Sequence, residues 1–357
     1  MKRGAAGGAF LRFVMFLLLL AVAAAAWQWQ RYQAFVDAPL AGIAPDASLV
    51  VERGDNLGKV LGKLQAQGVA TGESFYWRVL ARQTQAAGKL QVGEYALAQD
   101  TSPRTLLLAM RDGKVVRRMF TIVEGWNIRD LRAALKNVPM LGQQTAAMDD
   151  AALMQALGHA GQHPEGRFLP ETYAWTKGDT DLDILKRAHA AMEKALDAAW
   201  ESRADGLPLK TKDEALILAS IVEKETGIAE ERPQIAGVFV RRLETGMRLQ
   251  TDPTVIYGMG AAYAGNIRRS DLTTDTPYNT YTRAGLTPTP IAMPGKAALR
   301  AATQPLRGDA LFFVAVGDGS GRHVFSRSLD EHNSAVRDYV QRYRTQRQAE
   351  REGATPK

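Results

Sequence analysis

Between Phe13 and Trp27 the chain runs through fifteen residues without one polar side chain. A surface helix of a soluble domain needs a polar face, so this run must be buried, inserted in a bilayer or removed. Fifteen is short against the ~20 residues that cross a hydrocarbon core of about 30 Å. Phe10 and Leu11 extend the run if Arg12 snorkels, and Trp27 and Trp29 suit the headgroup level. Lys2, Arg3 and Arg12 precede the stretch and only Arg31 follows closely, a bias that leaves the N-terminus in the cytoplasm and the body outside. The alanines at 21 and 23–26 also offer the small-residue spacing of a cleaved signal. The tryptophans after those alanines favour an uncleaved anchor. Residues 1–12 are expected as a cytoplasmic end, 13–29 as a transmembrane helix and 30–47, with Pro39 and Pro45, as a linker.

The charge supports a topological reading over nucleic-acid binding. The 357 residues carry a formal +7. Lys2, Arg3 and Arg12 supply +3; residues 341–357 supply another +3 from five cations and two acids. The body between them is nearly neutral, so no basic face for nucleic acid is expected. Cysteine is absent, which removes disulfides, thiolate nucleophiles and Cys-based metal sites and suits an oxidising compartment. His159 and His163 share a helical spacing, but Gly161 and Pro164 beside them read as a loop edge. No metal and no cofactor is expected.

Beyond the linker, Ser48–Val51 reads as extended, followed by a turn at Gly54 and a helix with apolar residues at 57, 60, 61 and 64. At an offset of 71, Phe120–Val123, Gly125, Asn127 and the apolar positions 128, 131 and 135 repeat the pattern. Between the copies Ser102-Pro103 opens a helix that stops at Gly113. Small α+β modules are expected. Past residue 150 the spacing predicts helices near Asp149–Leu157, Asp181–Ser202, Lys212–Thr226 and Glu230–Glu244. Residues 250–300, rich in Thr, Pro, Tyr and Gly, read as ordered loops. Leu311–Val316 and His323–Ser326 flank a glycine cluster and read as a hairpin, and 341–357 as a frayed basic tail.

The chemistry concentrates in two places. The helix from Ala215 is apolar until it ends in Glu223-Lys224-Glu225. Glu225 falls on the row of Leu218, Ile221 and Val222, whereas Glu223 stacks over Ala219 and Ser220. A carboxyl on an apolar face is desolvated and stays protonated near neutral pH, as a general acid must. Both acids could equally cap the helix end and pair with Lys224, Arg232 or Arg241. Downstream, Arg248–Gly258 and Pro277–Thr282 pack amides, hydroxyls, a carboxylate and phenols into short loops, an inventory suited to sugars.

Leu218–Thr226, Gly246–Gly260, with its Thr-Asp-Pro-Thr-Val-Ile-Tyr-Gly run, Tyr278–Tyr281 and His323–Asn333 resemble the endolytic murein transglycosylases of the YceG-like family. The resemblance covers about residues 45–340. It implies a single-pass inner-membrane protein of α+β class, with a LysM-like module at 48–118. A mixed, largely helical catalytic domain follows at 119–340, ending in a hairpin, with a basic tail at 341–357. It also implies non-hydrolytic cleavage of the MurNAc–GlcNAc bond inside nascent peptidoglycan strands, leaving 1,6-anhydroMurNAc ends. Peptidoglycan synthases are implied as neighbours, and the family's catalytic glutamate falls on Glu225. Gln250, Asp252, Tyr257, Tyr278, Asn279, Tyr281 and Glu223 are the candidate glycan-binding residues. The family's usual Pro-Asp-Thr is Pro170-Glu171-Thr172 here, which lengthens the carboxylate by one methylene.

A water-using glycosidase needs a second carboxylate, for which Asp252 or Glu171 would serve, whereas a lytic transglycosylase uses the substrate's own C6 hydroxyl. A non-catalytic glycan-binding scaffold of wall synthesis is the third reading. Anhydro product ends distinguish the transglycosylase from the other two.

Overall fold

The apolar run folds inside one long helix, α1 (Ala5–Asp37). The structure, a computed structural model, describes residues 5–353. Lys2 and Arg3 of the charge signal, and residues 354–357 of the tail, lie outside the described residues. From Phe10 to Asp37 the helix is long and apolar enough to cross a membrane, and Phe13, Leu18 and Trp27 are exposed along it. The expected linker is different: the helix continues to Asp37, and Tyr32, Val36, Leu40 and Ile43 are core residues. Tyr32 and Val36 lie one turn apart on α1, and Leu40 and Ile43 follow in the non-helical stretch after Asp37.

Residues up to Arg118, with Trp175–Gly178, form one compact unit. In it β1 (Ser48–Val51), α2 (Leu57–Ala66), α3 (Ser74–Gln83) and β2 (Gly93–Ala96) follow in order. The strands pair antiparallel, Ser48 opposite Ala96 and Val51 opposite Gly93. Asn56 caps α2 by accepting from the Lys59 N–H. Next comes α4 (Pro103–Asp112), opened by a Ser102 capping box and closed by Gly113 in the left-handed conformation, φ +66°. Leu49, Leu64, Trp77, Leu80, Tyr95 and Leu107 fill the core between strands and helices.

The offset repeat is realised in the order of elements. β3 (Arg118–Thr121), α5 (Ile128–Lys136), α6 (Asp150–Ala156) and β4 (Thr172–Trp175) again run strand, helix, helix, strand, and β3 pairs with β4. Asn127 caps α5 as Asn56 caps α2, accepting from the Arg129 and Asp130 N–H groups.

The second unit comprises Met119–Ala174 and the chain from Asp179 onward. Its core gathers α7 (Asp181–Glu201), α8 (Lys212–Glu225), α9 (Arg232–Glu244), α10 (Asp252–Met259) and α12 (Lys296–Thr303), with α8 packed against the other four, while the short α11 (Arg269–Thr273) buries none of its residues. The stretch 250–300 therefore holds three α-helices and a 3-10 turn at Gly260–Ala262 where loops were expected. Each is eight residues or shorter, too short to show a period, and α10 starts on Asp252-Pro253, a helix-opening pair that resembles a turn. The hairpin of β5 (Phe312–Ala315) and β6 (His323–Ser326) is present, with Phe313 opposite Phe325 and Ala315 opposite His323. The tail also differs from expectation. α13 (Leu329–Gly353) continues as helix and packs on the hairpin, where Arg342 donates to the Val316 carbonyl at 2.9 Å.

Candidate active site

α8 is buried on all sides from Ala215 to Glu223, because it threads the centre of the second unit's core. Its apolar stripe therefore cannot separate the two glutamates; their partners do. Glu223 is 9% exposed and fully engaged: it accepts from the Gly295 N–H at 2.9 Å and from Arg232 at 3.1 Å. Burial raises its pKa, and these two donors oppose the rise. Glu223 braces the end of α8 as an ion pair with Arg232, the structural alternative weighed for this motif.

Glu225, the last residue of α8, is partly buried. Its Oε1 accepts a hydrogen bond from the Thr251 hydroxyl. Desolvation pushes its pKa up to about 7; the Thr251 bond opposes the rise and the Asp252 charge adds to it. His323 and Arg242 lie close enough to pull it back down. Near neutrality this carboxyl is divided between acid and base, the condition a group needs to donate and then recover one proton.

The loops expected to read a glycan meet here. The Gln250 N–H donates to the Thr280 carbonyl at 3.2 Å, and the Thr251 N–H to the Thr280 hydroxyl at 3.1 Å. Thr254 joins the same hydroxyl at 2.9 Å. Buried Arg242 holds the Leu249 and Leu311 carbonyls, tying this loop to the hairpin. Gln250 is exposed and left-handed, φ +49°, a conformation that L side chains seldom adopt. Exposed Asp252 accepts from the Tyr281 hydroxyl at 2.6 Å. Gln250, Asp252 and Tyr281 thus surround Thr251, the residue bonded to Glu225.

Three other candidates have bracing roles. Asn279 is 1% exposed; its amide donates to the Asp271, Leu272 and Thr274 carbonyls and its oxygen accepts from the Tyr281 N–H. Nothing of it is left for a ligand, because the loop carbonyls occupy its donors. Tyr257 and Tyr278 meet edge to face at 5.0 Å, and their hydroxyls reach Glu165 and Thr289.

Sequence reasoning missed Glu165, Thr251 and the Glu231–His323 pair. Glu165 is fully buried, accepts from the Ile128 N–H and the Tyr257 hydroxyl, and is pushed up to about 7 by desolvation. Its setting between Pro164 and Gly166 gave only a turn signal. Glu231 accepts from both the backbone N–H and Nδ1 of His323, at 3.0 and 2.8 Å, which fastens the hairpin to the loop after α8. Thr251 lies inside a motif already singled out, hidden by the acid next to it.

Glu171 pairs with Lys296 and lines an open concavity of about 660 Å³ with Lys194, Arg300 and α7 alanines; Glu225 is not among its lining residues. His159, expected at a loop edge, lies against His189 with ring centroids 3.9 Å apart and planes tilted by 31°, and Glu193 is beside both. Donor atoms of the three lie within 4.8 Å of one another.

The sequence profile of the YceG-like family matches residues 49–338, most of the chain and all of the site described above. The chain belongs to the YceG-like family. It is 30% identical over 271 residues to the endolytic murein transglycosylase of Bacillus subtilis, covering 71% of this chain and 74% of that protein. A second relative of the same name, from Streptococcus pneumoniae, is 32% identical over 181 residues, 49% of this chain and 32% of that one. A crystal structure of a yceG-like protein from Listeria monocytogenes superposes with a TM-score of 0.50 at 26% identity, covering 82% of this chain and 99% of that one.

Proposed function

We propose that this protein is a membrane-anchored lytic transglycosylase that cuts inside nascent peptidoglycan strands. One observation carries the reading: a carboxyl at the end of a buried helix, pushed up to about 7, held by a single neutral hydroxyl. The names of the B. subtilis and S. pneumoniae relatives agree with it. Glu225 protonates the glycosidic oxygen as the MurNAc C1–O4 bond breaks. Its carboxylate then removes the proton from the C6 hydroxyl of the same sugar, whose oxygen closes on C1. The glycan leaves as a 1,6-anhydro end and a free 4-hydroxyl; no water is consumed and Glu225 recovers its proton. Gln250, Asp252 and Tyr281 bind the sugars beside the reacting bond.

The same reading places α1 in the inner membrane with its N-terminus inside and the body in the periplasm. The strand–helix–helix–strand order of 48–96 supports a LysM-like role for the first unit in holding glycan. Peptidoglycan synthases, which make the strand, are the partner class this substrate implies.

Digestion of purified sacculi tests the assignment. The wild-type protein should release muropeptides that mass spectrometry identifies as anhydro-ended, and Glu225→Gln should release none. Anhydro ends from the Glu225→Gln variant would remove Glu225 from the mechanism, and reducing ends from the wild type would make the protein a hydrolase.

A further inference from the structure

The join between α1 and the first unit is closer to the bilayer than a tethered domain would be. At 1.5 Å per residue, Phe10 to Trp29 spans about 30 Å, the whole hydrocarbon core. Tyr32 stands only about 5 Å further on, within the headgroup layer. The first unit is already in contact there. Gln28 donates to the Tyr76 hydroxyl at 2.8 Å, and Tyr76 lies edge-on to Tyr32 at 5.7 Å and against Phe35 at 5.3 Å. The helix is unbroken through these contacts, and Tyr32 and Val36 are core residues of the unit. No flexible joint separates the span from the unit.

α3 is therefore held at headgroup height. Its Tyr76 and Gln83 side lies on α1, and its Trp77 and Leu80 side enters the core. By helical spacing the side left over carries Phe75, Arg78 and Arg82, all exposed, turned away from the core. Phe75 is 56% exposed. Neither arginine pairs with an acid among the described residues. A large exposed ring on the same face as two unpaired guanidiniums, on a helix packed beside the exposed Trp27 and Trp29 end of the span, is the pattern of a helix that lies in a lipid interface.

We propose that the Phe75–Arg78–Arg82 face of α3 is seated on the outer leaflet, the ring at the acyl boundary and the guanidiniums on anionic phosphates. The inference rests on the membrane reading of α1, and the test separates the two. The chain lacks cysteine, so single nitroxide labels can be placed by Leu18→Cys, Phe75→Cys and Val92→Cys in the full-length protein. It is then reconstituted in nanodiscs of phosphatidylethanolamine and phosphatidylglycerol. Collision with oxygen against an aqueous nickel chelate reports depth. Labels at 18 and 75 should be shielded from the chelate, and the label at exposed Val92 should not. A lipid-buried 18 with a 75 as aqueous as 92 overturns the seating and keeps the anchor; an aqueous 18 overturns both. Adding Arg78→Glu and Arg82→Glu to the Phe75→Cys chain should return that label to chelate contact. Unchanged shielding would overturn the headgroup role of the arginines.

Discussion

Glu225 should be a liability to the fold as well as the source of its chemistry, and the liability should depend on pH. In the unfolded chain its carboxyl titrates near the ordinary 4.5, whereas in the fold it titrates near 7. Between those values the folded protein holds a proton that the unfolded chain has lost, so this group makes stability fall as pH rises from about 4.5 to 7. At 1.36 kcal/mol per pH unit the full difference is about 3 kcal/mol above pH 7 and close to nothing below pH 4.5. Glu225→Gln keeps the shape and an oxygen to accept from Thr251, and it never ionises. The variant should therefore match the wild type at pH 4.5 and exceed it by ~3 kcal/mol at pH 8. In a domain of this size that is roughly 6–12 °C in Tm. Thermal unfolding of both full-length proteins in one detergent, at half-unit steps of pH, measures the difference curve. Glu165 and Glu223 titrate in both proteins and cancel. A variant no more stable at pH 8 than at pH 4.5, relative to wild type, would refute the claim that burial dominates this carboxyl.

Two further outcomes follow from neighbouring contacts. Thr251→Val removes the hydroxyl that favours ionised Glu225, so the alkaline limb of the pH–rate profile should move up by about one unit, with the fold retained. Glu223→Gln weakens the bond to Arg232 inside the core, which should lower stability by about 1–3 kcal/mol in denaturant melts while anhydro-ended products persist in the sacculus digest.

The sequence revealed features governed by local physics. Asn56 and Asn127 cap equivalent helices at an offset of 71 because a short amide in an extended residue satisfies the same free N–H groups in each. Long amphipathic helices such as α7 were legible from their period. Two kinds of feature were hidden. A helix apolar on all faces gives no stripe, so the rows of Glu223 and Glu225 did not show that Glu223 is spent on Arg232 and the Gly295 N–H while Glu225 is held by the Thr251 hydroxyl. Polar residues in a rich loop look alike on paper. Asn279 is spent on three carbonyls and Gln250 is left exposed, a distinction made only by contacts between α8, α10 and the 270–283 loop.

The position of Glu225 at the last residue of α8 has one more consequence. Backbone dipoles leave the C-terminal end of a helix with about half a negative charge, which repels a carboxylate and tolerates a neutral acid. On the proposed mechanism, every proton given to a leaving sugar creates an anion where the helix disfavours one most. The fold then acts as a spring that drives Glu225 to take back a proton, and the C6 hydroxyl of the sugar in hand is its nearest source.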